Sequence, residues 1–185
     1  MKLLIASDVH GSAYFCEKLL ECFEKEKADK LLLLGDILYH GPRNDLPKGH
    51  DPKKVIALLN NYKNVIFCVR GNCDTEVDQM VLDFPVLADY SVLTDNIVNI
   101  FATHGHKYNI DALPPIQSGE VLAYGHTHVP ICNEKDGVLC INPGSISIPK
   151  ENSWHGYILY YDGVFTWKDF DNNVKMIHSI DFKGE

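Results

Sequence analysis

The chain has 185 residues, and 45% of them are hydrophobic, which is enough to bury one sizeable core. We therefore expect a single domain over residues 1–185. The formal net charge of -8 disfavours broad contact with a polyanion, because nonspecific nucleic-acid binding needs many Lys and Arg side chains. No stable nucleic-acid complex is expected, whereas a small phosphate substrate stays compatible with this charge.

No apolar run is long enough to span a bilayer, so no membrane partner is expected. The polar residues Ser7, Asp8 and His10 follow Met1 too closely for a signal peptide, which predicts a cytoplasmic protein. The six cysteines form no C-x-x-C pair, and we expect them to be mostly buried, reduced thiols.

Apolar strands and helical patterns alternate in the first half of the chain, which is typical of an α/β domain. The predicted elements are, in order, a strand over residues 2–7, a helix with Ser12 as N-cap, a strand in LLLLGD (31–36), a helix starting at Asp51 and Pro52, and a strand in NVIFCVR (64–70).

Strands with few helices follow from about Asn96 onward. They are NIVNIFATHG (96–105), EVLAYGHTH (120–128), GVLCINPGS (137–145), GYILYYD (156–162), VFTWKDF (164–170) and VKMIHSIDF (174–182). This order predicts a two-sheet sandwich flanked by helices. The aromatic residues Tyr157, Tyr160, Tyr161 and Trp167 belong either to its core or to the interface of a homo-oligomer.

Five of the apolar strands end in residues that can bind a metal ion. Strand carboxyl ends in α/β sheets are the usual place for ligands. Each residue alone would more simply be a turn residue, a helix cap or a structural histidine, but the repetition favours a metal site. The predicted metal ligands are Asp8, His10, Asp36, Asn72, His104, His126 and His128.

Four of the predicted ligands form two pairs in which the residues are two positions apart, namely Asp8 with His10 and His126 with His128. In an extended chain such residues point the same way, so each pair is expected to act as a pincer. Neighbouring glycines, at positions 11, 35, 71, 105 and 125, are expected to let the backbone turn sharply.

The ligand set is too large for one ion and suits two divalent ions, because it offers two carboxylates, one amide oxygen and four imidazoles. Asp36 is the predicted bridge, since its strand is expected to lie centrally. The mixed nitrogen and oxygen donors favour manganese, iron, zinc, cobalt or nickel. Two such ions with a bridging hydroxide leave the site positive, so an anionic phosphate is the expected guest.

The same residues form an ordered set of motifs: Asp8-x-His10, Gly35-Asp36, Gly71-Asn72-x-Asp74, His104-Gly105 and Gly125-His126-x-His128. This set resembles the calcineurin-like metallophosphoesterases. The loop HGPRND (40–45) and the sequence GNCD (71–74) resemble the YfcE-type bacterial phosphodiesterases within that superfamily.

The resemblance implies a four-layer α/β/β/α sandwich of two mixed β-sheets and a dinuclear centre, commonly of manganese. By position, one ion would be held by Asp8, His10, Asp36 and His128, and the other by Asp36, Asn72, His104 and His126.

The implied reaction is hydrolysis of a small phosphodiester by a hydroxide that bridges the two metals. Asn72, His104 and Asp74 are the expected catalytic residues. Many members have His in the third position of the Gly-Asn motif, where this chain has Cys73. A thiol is a weak hydrogen-bond donor, so diesters with good leaving groups are expected over alkyl monoesters.

Three other functions are weighed against this one: a phosphomonoesterase, a protein-interaction scaffold on the same fold, and a cysteine hydrolase using Cys73. A scaffold is expected to have lost some of the metal ligands, whereas this chain has all seven. A cysteine hydrolase would not need these ligands for its reaction.

Several polar residues have two alternative roles each. Arg43 is either a clamp for a phosphate oxygen or a solvated loop residue. Asp74 either orients His104 or His10, or caps the following turn. His106 is expected either at the surface or beside the site, because it lies two residues after a predicted ligand.

Overall fold

The computed structural model describes residues 1–180. Its helices are α1 (Ala13–Glu26), α2 (Pro52–Asn60) and α3 (Glu76–Gln79). Its strands are β1 (Leu3–Ala6), β2 (Lys30–Leu33), β3 (Ile66–Cys68), β4 (Tyr90–Thr94), β5 (Asn99–Thr103), β6 (Val121–Ala123), β7 (Pro130–Lys135), β8 (Val138–Pro143), β9 (Gly156–Tyr161), β10 (Val164–Asp169) and β11 (Val174–Ser179). Within this part of the chain, no helix is long and apolar enough to cross a bilayer.

The strands form two mixed sheets. The first has the order β11-β10-β9-β1-β2-β3, with β1, β2 and β3 parallel and the remaining strands antiparallel to their neighbours. The second has the order β4-β5-β6-β8-β7, with a parallel centre and an antiparallel strand at each edge. In both sheets the carboxyl ends of the parallel strands carry the loops that contain the predicted ligands.

Alternate side chains of each strand enter different layers, as the period of two in a strand requires. In β1, Leu4 packs with α1 on the outer face, whereas Leu3 and Ile5 enter the core between the sheets. On the outer face of the second sheet, Leu122 and Tyr124 are covered by apolar residues of the loop 105–119. The predicted layering around two sheets is thus confirmed, with α1 and α2 outside the first sheet and the loop 105–119 outside the second.

The predicted starts of both long helices are confirmed. Ser12 Oγ accepts the Phe15 N–H at 3.2 Å, and Asp51 Oδ1 accepts the Lys54 N–H at 3.1 Å. Such caps stabilise a helix because they satisfy an N–H group that has no partner within the helix.

Some expectations differ from the structure. β4 and β7 were not predicted, and β2 lies beside the edge strand β3 rather than at the sheet centre. Of the four aromatic residues, three are buried in the core, but Tyr161 is 58% exposed. The predicted last strand, 174–182, is observed as β11, and residues 181–182 lie outside the described residues.

Candidate metal centre

The seven predicted ligands converge between the two sheets. Asp8 and His10 follow β1, Asp36 follows β2 and Asn72 follows β3, all in the first sheet. The other three follow β5 and β6 of the second sheet, namely His104, His126 and His128. Residues more than 100 positions apart therefore meet because both sheets present the ends of parallel strands to one cleft.

Asp8, His10 and His128 form a first group. The Nε2 atoms of His10 and His128 lie 3.5 and 3.2 Å from Asp8 Oδ1 and 3.2 Å from each other. The three side chains are buried and could hold one metal ion.

A second group surrounds His104. Its Nε2 atom lies 3.1 Å from Asn72 Oδ1, 3.3 Å from His126 Nδ1 and 3.5 Å from Asp36 Oδ2. Asp36 Oδ2 is also 3.8 Å from His10 Nε2, so this one carboxylate oxygen faces both groups. Its position is the one that a bridging carboxylate would require.

The histidine rings are oriented for coordination by backbone carbonyls. A carbonyl oxygen can only accept, so the ring nitrogen facing it must carry the hydrogen and Nε2 keeps its lone pair in the neutral ring. The Nδ1–H of His10 donates to Tyr39 O at 2.7 Å. In the same way, His104 donates to Leu34 O at 2.6 Å and His128 donates to Ile148 O at 2.7 Å.

The charges of the site also suit cations. When the facing rings of His10 and His128 are neutral, the buried Asp8 Oδ1 has no hydrogen-bond donor among the described residues, a costly state unless a cation is close. Burial alone raises the pKa of Asp8, but the facing rings of His10 and His128 hold that pKa well below its usual range. Burial likewise lowers the pKa of His104, but the carboxylates of Asp36 and Asp8 outweigh it and raise this pKa to about 9.

Most of the ligands lie on left-handed backbone rather than extended chain. Their φ angles are 58° at Asp8, 48° at His10, 55° at Asp36, 65° at His126 and 62° at His128. Holding a non-glycine residue in this conformation costs on the order of 1–3 kcal/mol of conformational free energy, and such residues cluster at functional sites.

The expected extended-chain geometry is therefore wrong for both pairs, and only Asp8 and His10 face the same group. Asp8 and His10 do meet, but through a turn. His126 and His128 face different groups, since His126 lies beside His104 and His128 beside His10.

Hydrogen bonds hold this strained backbone in place. The Asp8 carbonyl accepts both Ser145 Oγ–H at 2.9 Å and Ser147 Oγ–H at 2.8 Å. His10 N–H donates to Asp36 O at 2.9 Å. Ser147 lies in the stretch NPGSISIPK (142–150), but its bonding partner is 139 residues away, so the sequence alone does not predict this contact.

Asp74 supports the loops and does not contact the histidines, which corrects both readings of this residue. Its carboxylate accepts backbone N–H groups from Asp36 at 2.8 Å, Ile37 at 2.9 Å and Gly71 at 2.7 Å. The N-cap of α3 is Thr75 instead. Burial raises the pKa of Asp74.

Cys73 lies at the centre with its thiol facing inward. Its backbone N–H donates to Asp36 Oδ1 at 2.8 Å, and its Sγ accepts Asn72 Nδ2–H at 3.3 Å. The thiol lies within 4.8 Å of ligand atoms of His10 and Asp36. Burial and the charge of Asp36 raise the pKa of Cys73, so the thiol is protonated at neutral pH in the metal-free protein.

A cavity of about 400 Å³ opens over these side chains. Arg43 lines it, as the clamp reading requires. Lys150 lines it as well and was not predicted. His106 is exposed and its ring centroid lies 5.5 Å from that of His104, but it does not line this cavity.

Comparison with known proteins identifies the class. The sequence profile of the calcineurin-like phosphoesterase superfamily domain matches residues 1–161. The chain belongs to this superfamily, which confirms the resemblance seen in the motifs.

Particular relatives narrow the class further. The chain is 47% identical to phosphodiesterase YfcE of Escherichia coli over 150 residues, which cover 81% of this chain and 82% of that protein. The solved structure of this phosphoesterase superposes with a TM-score of 0.95 at 41% identity, covering 98% of this chain and 100% of that chain. The expected metallophosphoesterase fold is thereby confirmed.

Two further proteins are more distant. Phosphodiesterase MJ0936 of Methanocaldococcus jannaschii is 28% identical over 152 residues, which cover 78% of this chain and 83% of that protein. Vps29 of Entamoeba histolytica, in a structure with Zn²⁺, has a TM-score of 0.64 at 17% identity, covering 98% of this chain and 100% of that chain, and this likeness concerns the fold alone.

Proposed function

We propose that this phosphoesterase is a metal-dependent phosphodiesterase with a dinuclear metal centre and a bridging hydroxide as nucleophile. The observation that carries the proposal is the position of Asp36. One of its oxygens faces His104 of one ligand group at 3.5 Å and His10 of the other at 3.8 Å. The phosphodiesterase relatives support the reaction class.

The two ions would be held by the two groups described above, with Asp36 shared. When bound, they supply a hydroxide at neutral pH and neutralise charge on the phosphoryl oxygens. We assign manganese to the site on the basis of the resemblance, and the mixed nitrogen and oxygen donors also suit iron, zinc, cobalt or nickel.

The protein's own groups position the substrate and fix the ligands. Asn72 directs its amide oxygen toward His104 and its NH₂ toward Cys73. Arg43 lines the cavity, and its planar guanidinium suits two oxygens of one phosphoryl group. Asp74 acts as a positioning residue, because its carboxylate fixes the backbone of the two neighbouring loops at Asp36 and Gly71.

The neutral thiol of Cys73 offers little protonation to a leaving oxygen. We therefore propose small phosphodiesters with good leaving groups as substrates, in preference to monoesters. The cytoplasm is the proposed location, and the six free cysteines support a reducing compartment.

Hydrolysis of bis(p-nitrophenyl) phosphate and p-nitrophenyl phosphate by the protein loaded with Mn²⁺ tests the proposal. We expect faster hydrolysis of the diester, loss of activity with EDTA, and survival after iodoacetamide. Asp36→Asn should lower activity by at least about 100-fold, because it weakens both ligand groups at once.

Asp162→Asn, in the turn between β9 and β10, is the matched control and should keep full activity. Full Mn²⁺ binding without hydrolysis of either ester would instead favour the scaffold. Hydrolysis of the monoester at the same rate as the diester would favour the phosphomonoesterase.

A further inference from the structure

The cavity over the metal centre is larger than a phosphodiester group requires. Its volume of about 400 Å³ falls within the range of sites that enclose a whole small molecule. Part of the lining is formed by the ligands and Cys73, and the rest comes from two loops. One loop contributes residues 41–44, and the other contributes Lys150.

The charge of the lining is unbalanced. Apart from Asp36, the described residues of the lining include no carboxylate, whereas Arg43 and Lys150 both carry a positive charge. Neither cation pairs with a carboxylate among residues 1–180. The chain as a whole is acidic, with a net charge of -8, so this local excess of positive charge is not a property of the general surface.

The proposed metal centre does not need these cations for neutrality. Two divalent ions, two carboxylates and one hydroxide leave a charge of about +1, which the single negative charge of a phosphodiester balances. Both Arg43 and Lys150 then stay uncompensated beside a substrate that carries only its scissile phosphate. In a concave site such charges attract an additional anion.

The two cations occupy different places relative to the ligands. The Arg43 loop lies beside Cys73, since a Cβ on Gly41 would be 3.5 Å from Cys73 Sγ. Cys73 is in turn hydrogen-bonded to Asp36, the carboxylate shared by both ligand groups. Arg43 is therefore suited to the scissile phosphoryl group.

Lys150 is attached to the other side of the centre. Its backbone N–H donates to His128 O at 3.1 Å, and its carbonyl accepts Ser153 N–H at 3.0 Å and Ser153 Oγ–H at 2.6 Å. These bonds fix the backbone of Lys150 at the cavity, and the residue is exposed. A flexible ammonium adapts to anions of different shape better than a planar guanidinium does.

From these observations we infer that Lys150 binds a second anionic group of the substrate, a phosphate or carboxylate on the part of the diester that does not leave. This inference rests on the proposed phosphodiesterase function and specifies its substrate class. The preferred substrates are diesters that carry at least one negative charge beyond the scissile phosphate.

A pair of substrates that differ only in this second anion tests the inference. The p-nitrophenyl ester of thymidine 5′-phosphate is compared with the same compound bearing a 3′-phosphate, so that the leaving group and the scissile bond are identical. We expect the 3′-phosphorylated compound to have a kcat/KM roughly fivefold higher, as one partly exposed ion pair contributes. This preference should shrink in high salt, because screening weakens exposed charge pairs.

Lys150→Gln should abolish the preference, and Lys150→Arg should retain most of it. Lys53→Gln, on the exposed face of α2, is the matched control and should leave the preference unchanged. Equal loss on both substrates would place Lys150 at the scissile phosphoryl group and overturn the inference, as would a preference that persists in Lys150→Gln.

Calorimetry supplies a readout that does not depend on turnover. Thymidine 3′,5′-bisphosphate should bind more tightly than thymidine 5′-phosphate, and Lys150→Gln should remove most of that difference. If neither diester is hydrolysed, the proposed function fails and calorimetry still decides the role of Lys150. If both are hydrolysed equally by the unmodified protein, the function stands and the inference fails.

Discussion

The Asp74 carboxylate accepts the backbone N–H of Asp36 at 2.8 Å, although 38 residues separate them. The same carboxylate accepts the N–H of Gly71 at 2.7 Å. One side chain thereby ties the loop after β2 to the loop after β3 and fixes the spacing between Asp36 and Asn72.

Asp74→Asn should weaken metal binding without removing a ligand. The amide NH₂ would face backbone N–H groups that need an acceptor, so the two loops lose their fixed spacing. Loss of such support typically lowers metal affinity by about 10- to 100-fold. Titration with Mn²⁺ in a calorimeter measures the effect.

Asp78→Asn is the control for Asp74→Asn, because Asp78 belongs to the capping box of α3 and does not contact the ligands. It should change stability slightly and leave Mn²⁺ affinity unchanged. Unaltered Mn²⁺ affinity in Asp74→Asn would contradict a positioning role for Asp74.

Gly71→Ala should disrupt the centre by a steric route. A Cβ at this position would lie 2.1 Å from Asp36 Oδ1 and 2.3 Å from the Asp36 nitrogen, so the shared carboxylate must move. We expect loss of Mn²⁺ binding at one of the two sites and a drop in diester hydrolysis of at least about 100-fold.

Gly119→Ala separates this clash from simple backbone strain. Gly119 has a φ of 91°, but a Cβ there meets nothing within 4 Å. The substitution should cost on the order of 1–3 kcal/mol in thermal unfolding and leave the rate of hydrolysis intact. Equal effects of the two substitutions on hydrolysis would rule out the steric explanation.

The sequence predicts the elements that have strong local patterns. β1, α1, β2 and α2 have continuous apolar runs or capped helical periodicity, and the ligands follow the strands directly. β4 and β7 lack such patterns because they are edge strands: Tyr90 and Val92 are exposed, and β7 begins with Pro130 and continues into polar residues.

The parts of the site that could not be predicted depend on contacts between distant segments. The partners of Asp74 are backbone groups, which leave no mark in the sequence. The left-handed conformation of His126 and His128 is held by hydrogen bonds to distant segments, at Asp8 and Lys150, whereas spacing alone suggests extended chain. Lys150 reaches the cavity because the loop after β8 is bonded to His128.

Metal binding should depend on pH through His104. Its pKa is raised to about 9 because the carboxylates of Asp36 and Asp8 outweigh the effect of burial. Below that pH the ring of the metal-free protein is protonated, and a metal ion must displace the proton. Mn²⁺ affinity should therefore rise up to about tenfold per pH unit below pH 9, with release of about one proton or more at pH 8.

The stability of the metal-free protein should change in the opposite direction. Because the folded-state pKa lies above the ordinary value of 6.5, the contribution of His104 is complete below pH 6.5 and is lost as the pH rises toward about 9. Calorimetry in buffers of different ionisation enthalpy counts the released protons, and thermal unfolding follows stability. His104→Gln should reduce both effects, and absence of proton release at pH 8 would refute them.

Cys73 should be dispensable for hydrolysis of diesters with good leaving groups. Its thiol is protonated in the metal-free protein, and its backbone N–H, which any residue except proline retains, donates to Asp36 Oδ1. Cys73→Ser should therefore keep diester activity within about threefold and bind the metals unchanged. Abolished hydrolysis with intact metal occupancy would show that the thiol is required.

Cys73→His should instead broaden the substrate range. An imidazole at this position can protonate a leaving oxygen, a contribution of about 100-fold or more for poor leaving groups. We expect the ratio of monoester to diester hydrolysis to increase by at least about tenfold. An unchanged ratio, with metal content verified, would show that leaving-group protonation does not limit monoester hydrolysis.

Arg43 should contribute to substrate binding through its guanidinium group. It lines the cavity beside the centre and pairs with no carboxylate among residues 1–180, so its charge is available to a phosphoryl oxygen. Arg43→Ala should raise the KM for bis(p-nitrophenyl) phosphate by about 10-fold, as expected for a hydrogen bond to a charged group. Arg43→Lys should recover only part of the loss, because a single ammonium cannot reproduce the planar fork.

Lys53→Ala on α2 is the charge-matched control. A KM for Arg43→Ala equal to that of Lys53→Ala would mean that Arg43 is a solvated loop residue, and the phosphoryl group would then be bound by the metals alone.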